Sequence, residues 1–77
     1  MILYYRPTCP YCVKVLNYVK EKNIALELRD IAANSQFAHE LIIQGGKQQV
    51  PFLVDEEKGV KMYESSDIIA YLAENHE

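Results

Sequence analysis

The sequence predicts an α/β protein in which a βαβ unit is followed by an αββα run, closing as a four-stranded mixed sheet with helices on both faces. Three observations carry that expectation. Ile2 to Tyr5 is a short aliphatic and aromatic run closed by Arg6-Pro7. Cys12, Val15, Leu16 and Val19 then recur at i, i+3, i+4 and i+7, and Ile24, Leu26 and Leu28 alternate with Ala25, Glu27 and Arg29. Strand, helix and strand in so short a span require a crossover, which makes the strands parallel and the connection right-handed.

Each element has its own local cause. Ile2–Tyr5 is apolar at every position, as a strand buried on both faces near the sheet centre would be. Pro10 fits only the first turn of a helix, so a helix from Cys9 to about Lys22 is expected, with Thr8 as its N-cap. Lys20 and Lys22 suit the negative end of that helix, and Asn23 suits the C′ position. The alternation from Ile24 to Arg29 has the period of a half-exposed strand. After the turn residues Asp30 to Asn34, Phe37, Ala38, Leu41 and Ile42 fall at helical spacing, and Gly45-Gly46 stops the helix. Pro51–Val54 and Val60–Tyr63 are strand-like runs joined by the polar stretch Asp55–Gly59, a hairpin pattern. Ser65-Ser66-Asp67, three N-cap residue types in a row, open a last helix that presents Ile68, Ile69 and Leu72 on one face.

Seventy-seven residues are expected to form a single domain, 1–77, in which folding buries only about 60–65% of the surface of the unfolded chain. A net charge of -3, with the eight Lys and Arg scattered, argues against nucleic-acid binding. Met1 to Pro7 has neither a basic leader nor a small-residue cleavage site, and no apolar run is long enough to span a bilayer. A cytoplasmic address without membrane association is therefore expected.

Both cysteines of the chain lie in Cys9-Pro10-Tyr11-Cys12. At i and i+3 they share one face of a helical turn, close enough to form a small disulfide ring. Cys9 would meet the positive end of the helix dipole, where a thiolate is favoured, so it is the candidate nucleophile and Cys12 the resolving thiol. Arg6 could stabilise the thiolate or a substrate carboxylate, and its alternative is a solvated loop cation. A zinc site would have to recruit His39 and His76 from separate helices at no recognisable spacing, so no metal is expected; both histidines read as exposed helical residues. Inert core thiols would need neither this spacing nor a helix start. On residues alone, Val50-Pro51 is a proline at a strand start, a bond that is cis in only about 5–6% of folded cases, and Ser65 to Asp67 is a capping cluster.

The element order, the Cys9-Pro10-Tyr11-Cys12 motif after the first strand, Val50-Pro51 and the Ser/Asp helix start together resemble a glutaredoxin of the thioredoxin fold, over nearly the whole chain. The stretch from Tyr63 to Leu72 also looks like the amino-terminal domain of glutathione transferases. The resemblance implies a cis Val50-Pro51 bond that exposes the Val50 N–H and C=O for pairing with extended glutathione. It implies an anion site at Ser65, Ser66 and Asp67 for the γ-glutamyl carboxylate, with Tyr11 beside the active sulfur and Arg6 near it. Glu64-Ser65 replaces the Gly-Gly pair usual in glutaredoxins, and Gln49 replaces their Thr before Val-Pro. Lys47 and Gln48 either reach the glycine carboxylate or form a solvated loop.

The thiol pair and the resemblance together imply a glutathione-dependent thiol–disulfide oxidoreductase acting on protein disulfides and glutathionylated proteins. It would work as a monomer without a tightly bound cofactor, using glutathione as reducing co-substrate at a potential of roughly -200 to -230 mV. Two alternatives stay open: a redoxin of the same fold fed by thioredoxin reductase, and a non-catalytic module that binds glutathione or an iron–sulfur cluster.

Overall fold

A computed structural model of the chain describes residues 1–75; His76, expected to be an exposed helical residue, lies outside them. Among the described residues the elements are β1 (Ile2–Tyr5), α1 (Pro10–Glu21), β2 (Glu27–Asp30), α2 (Ser35–Gly45), β3 (Phe52–Asp55), β4 (Val60–Met62) and α3 (Ser65–Asn75). The strands form one mixed sheet in the order β2-β1-β3-β4. β1 pairs parallel with β2 from Ile2↔Glu27 to Tyr5↔Asp30, and antiparallel with β3 at Leu3↔Leu53; β3 and β4 form the expected hairpin.

Strand alternation distributes the core over both faces. Leu3 and Leu53 point to one side, where they meet Val15 and Val19 of α1 and Ile68 and Leu72 of α3. Ile2, Tyr4, Phe52 and Val54 point to the other and meet Leu41 of α2. Helices therefore cover both faces, which is why β1 and the Phe52–Val54 run of β3 can be apolar at every position. The fully buried Tyr4 hydroxyl accepts hydrogen bonds from Arg29 Nη1 (3.1 Å) and Gln44 Nε2 (2.9 Å) and donates to Glu40 Oε1 (3.1 Å), which ties α2 to the sheet.

Several boundaries differ from expectation: β3 runs Phe52–Asp55 rather than Pro51–Val54, β4 stops at Met62 rather than Tyr63, and three shifts bear on the helices. α1 begins at Pro10, and its N-cap is Cys9, extended at φ -83° and ψ 120°, not Thr8. Proline disfavours helical geometry in the residue before it, so Cys9 cannot be the first helical residue. At the other end, Asn23 adopts φ 55°, and the Ile24 amide reaches back to the Val19 carbonyl at 3.0 Å. This Schellman closure takes Ile24 into the helix cap, so β2 starts at Glu27 rather than Ile24. In α3 the carbonyl accepting the first turn's bond is that of Glu64, which lies at φ 69°. Ser65, Ser66 and Asp67 are thus the first three helical residues rather than its caps.

Candidate functional site

Because Cys9 is the N-cap and Cys12 falls one turn on, the two thiols sit in different surroundings. Cys9 is partly exposed, whereas Cys12 is completely buried. Burial pushes the Cys9 thiol up, but the Cys12 amide and thiol, the Tyr11 amide and the Arg6 charge outweigh it and hold Cys9 below the ordinary thiol range. Burial pushes Cys12 up to about 11, helped by its hydrogen bond to Cys9 and by the Cys9 charge. One sulfur is poised to ionise while its neighbour keeps a proton.

Arg6 frames this pair with its backbone as much as with its side chain. Its carbonyl accepts from the Cys9 amide at 3.1 Å, and its amide donates to Cys12 Sγ at 3.5 Å. The guanidinium is exposed and lowers the Cys9 pKa through its charge.

A cleft of about 390 Å³ opens beside α1, lined by Tyr11, Gln49, Val50, Pro51, Glu64 and Ser65. That volume lies in the range of small-molecule sites. The Val50-Pro51 bond is cis. Val50 lies outside the strands, and among the described residues neither its N–H nor its C=O makes a backbone hydrogen bond, which leaves an edge onto which an extended peptide can be added. Ser65 is 8% exposed and faces the cleft at the first turn of α3, whose unpaired amides favour an anion.

The cleft thus brings together Tyr11, Val50, Pro51 and Ser65. Its lining includes neither Cys9 nor Cys12, nor Ser66 or Asp67, which are exposed at the start of α3, and Arg6 approaches the thiols rather than the cleft. Glu64 and Gln49, which sequence reasoning noted only as departures from a family pattern, line it instead. Nothing local in the sequence marks Glu64, since a left-handed residue is ordinarily Gly or Asn. Among the described residues no group of three or more His, Cys, Asp or Glu could hold a metal ion. His39 is exposed on α2.

Residues 3–77 match the family model described as glutathione S-transferase, N-terminal domain. Glutaredoxin 1 of Rickettsia conorii is 38% identical over 53 residues, which cover 66% of this chain and 52% of that protein. The chain therefore spans about half the length of the curated relative it matches. A delta-class glutathione transferase of Nilaparvata lugens superposes with a TM-score of 0.75 at 31% identity, over 97% of this chain and 35% of that one. An epsilon-class glutathione S-transferase of the housefly, Musca domestica, gives 0.75 at 23% identity, over 97% and 34%. A glutaredoxin of Brucella melitensis gives 0.65 at 24%, over 96% and 78%. At such identities the last two are likenesses of fold, and the fold is the thioredoxin fold that glutaredoxins and transferase N-terminal domains share.

Proposed function

The chain belongs to the family of glutathione S-transferase N-terminal domains, and from that premise we propose that it is a glutathione-dependent thiol–disulfide oxidoreductase of glutaredoxin type, one domain over residues 1–77. The observation that carries the reading is the acidified Cys9 at the N-cap of α1, two residues before Tyr11, which lines a cleft together with Val50 and Ser65. A transferase N-terminal domain needs the cleft; a pair of thiols with opposite pKa shifts is what disulfide exchange needs in addition.

In this mechanism the Cys9 thiolate attacks the glutathione sulfur of a protein–glutathione disulfide. A Cys9–glutathione disulfide forms and the protein thiolate leaves, taking up a proton from solvent. A second glutathione thiolate then attacks that sulfur, releasing glutathione disulfide and restoring Cys9. With a protein disulfide, Cys9 forms a mixed disulfide with one protein sulfur, and Cys12 loses its proton and attacks Cys9, expelling the protein thiolate. Two glutathiones then reduce the Cys9–Cys12 disulfide, leaving as glutathione disulfide. The charge on Cys9 and the hydrogen bond to it help hold the Cys12 proton. Both vanish when Cys9 becomes covalently bonded, so the resolving thiol grows more acidic only after the first step.

The glutathione would lie extended along Val50, its γ-glutamyl carboxylate toward the amides opening α3 at Ser65, Ser66 and Asp67. The Glu64 carboxylate, on the same rim, complements the ammonium that glutathione carries next to that carboxylate. Tyr11, 65% exposed, lines the cleft, and its backbone amide hydrogen-bonds Cys9. The site is proposed to work as a monomer in the cytoplasm on disulfide-bonded or glutathionylated proteins.

The test is reduction of a glutathionylated peptide with glutathione, glutathione reductase and NADPH, run beside a thioredoxin reductase assay. Turnover with glutathione supports the reading, and absence of turnover by the wild type, or activity with thioredoxin reductase alone, overturns it. Binding of glutathione with no turnover would select capture of glutathione without catalysis instead.

A further inference from the structure

Tyr63 stands between β4 and α3, directly before Glu64 and Ser65 of one cleft rim. Its hydroxyl donates to the backbone carbonyl of Lys47 at 3.1 Å, and the Lys47 ammonium lies 4.9 Å from the centre of its ring. Lys47 precedes Gln49 and Val50, which form the other rim. The ring is anchored from below by Phe52, 4.6 Å away between centroids and itself 1% exposed. Room for the hydroxyl exists because residue 45 is glycine: a Cβ there would overlap the Tyr63 oxygen and stand 2.9 Å from Cζ. Backbone, side chain and a neighbour's missing Cβ therefore converge on one phenol that joins two segments remote in sequence.

We propose that Tyr63 is a positioning residue, which locks the Lys47–Val50 rim against the α3 rim and holds Lys47 for the second carboxylate of the ligand. This rests on the glutathione reading above. Glutathione carries two carboxylates, and the α3 amides can take only the one at the γ-glutamyl end. The segment from Gly46 to Pro51, which supplies the opposing rim at Gln49, Val50 and Pro51, contains a single cation, Lys47, beside the neutral Gln48 and Gln49. Its ammonium rests on an aromatic face, an interaction weak enough at an exposed site to yield to a carboxylate. The carbonyl hydrogen bond keeps the Lys47 backbone in register when the ammonium turns.

Binding of S-methylglutathione and of its glycine ethyl ester, measured by calorimetry on wild type, Tyr63→Phe and Tyr63→Leu, separates this role from a merely structural one. Wild type should prefer the free acid. Tyr63→Phe keeps the ring and should weaken binding of the acid about five-fold, the worth of one hydrogen bond, while changing the ester by less than about two-fold. Tyr63→Leu removes the ring as well and should weaken the acid further. In turnover, Tyr63→Phe should raise KM with kcat unchanged, because Tyr63 touches neither sulfur. Equal losses on acid and ester, or an unchanged affinity for the acid, would overturn the role of Tyr63 and leave the glutathione reading standing. Failure of the wild type to bind S-methylglutathione would overturn both.

Discussion

The backbone amide of Arg6 donates to the sulfur of Cys12 at 3.5 Å, so the loop entering α1 and the buried thiol within it form one unit. Burial raises the Cys12 pKa, and that contact is the largest influence opposing the rise. The two cysteines therefore differ in access as well as acidity, which suits them to separate roles.

Cys9→Ser should abolish all turnover. Cys12→Ser should keep deglutathionylation and lose reduction of protein disulfides, since only the latter needs an internal resolver. Parallel assays on a glutathionylated peptide and an intramolecular protein disulfide check this, and equal loss of both activities in Cys12→Ser would refute the assigned roles.

Alkylation by iodoacetamide should report the two acidities. The rate at Cys9 should reach half its maximum at a lower pH than that of an ordinary cysteine thiol, because its thiolate is favoured. In Cys9→Ser, Cys12 should titrate below its value of about 11, since the Cys9 charge and hydrogen bond that raise it are gone. The raised Cys12 pKa also has a consequence for stability. The folded state holds this proton more tightly than the unfolded chain, so the contribution is complete below the ordinary thiol value and is lost as pH climbs toward about 11. Denaturant melts of Cys12→Ser should lack that alkaline decline.

Gly45→Ala should destabilise the protein by roughly 1–3 kcal/mol, as overpacking does. In a helix interior the same change ordinarily stabilises by up to about 1 kcal/mol, but here the new methyl overlaps the Tyr63 hydroxyl. Urea unfolding should show the loss, and adding Tyr63→Phe should recover part of it by removing the overlapped oxygen. A stabilised Gly45→Ala would contradict the packing described.

The Tyr71 hydroxyl donates to Asp55 Oδ2 at 2.5 Å, joining α3 to the end of β3. That bond, with the Lys58 amide, holds the Asp55 carboxyl below its usual value, and it pushes Tyr71 up to about 12. A depressed folded pKa contributes stability above the unfolded carboxylate value, and the contribution is lost as pH falls through the folded one. Tyr71→Phe should therefore lower the thermal midpoint at neutral pH and flatten its decline in acid. An acid limb as steep as that of wild type would count against the pair.

The order of elements, the central position of β1, the hairpin and the thiol pair at a helix start are all legible along the chain, because each rests on periodicity, proline or turn chemistry that acts within a few residues. Boundaries are less so. Ile24 reads as the first residue of a strand because its alternation with Leu26 is genuine, but its amide is spent closing α1 and its side chain packs on Val19. Thr8 reads as a cap because it has the right side chain, yet Pro10 forces the extended geometry onto Cys9.

Fold class and the thiol pair at a helix start follow from the chain alone, since hydrophobic period and the Cys-Pro-Tyr-Cys spacing are local properties. Which residues share the cleft depends on long-range closure. Closing β3 against β1 and starting α3 after Glu64 carries Gln49, Glu64 and Ser65 to Tyr11 and leaves Ser66 and Asp67 outside. The tie between Tyr63 and Lys47 has the same origin: it links residues sixteen apart across a hairpin, and no pattern along the chain encodes a contact made by folding it back.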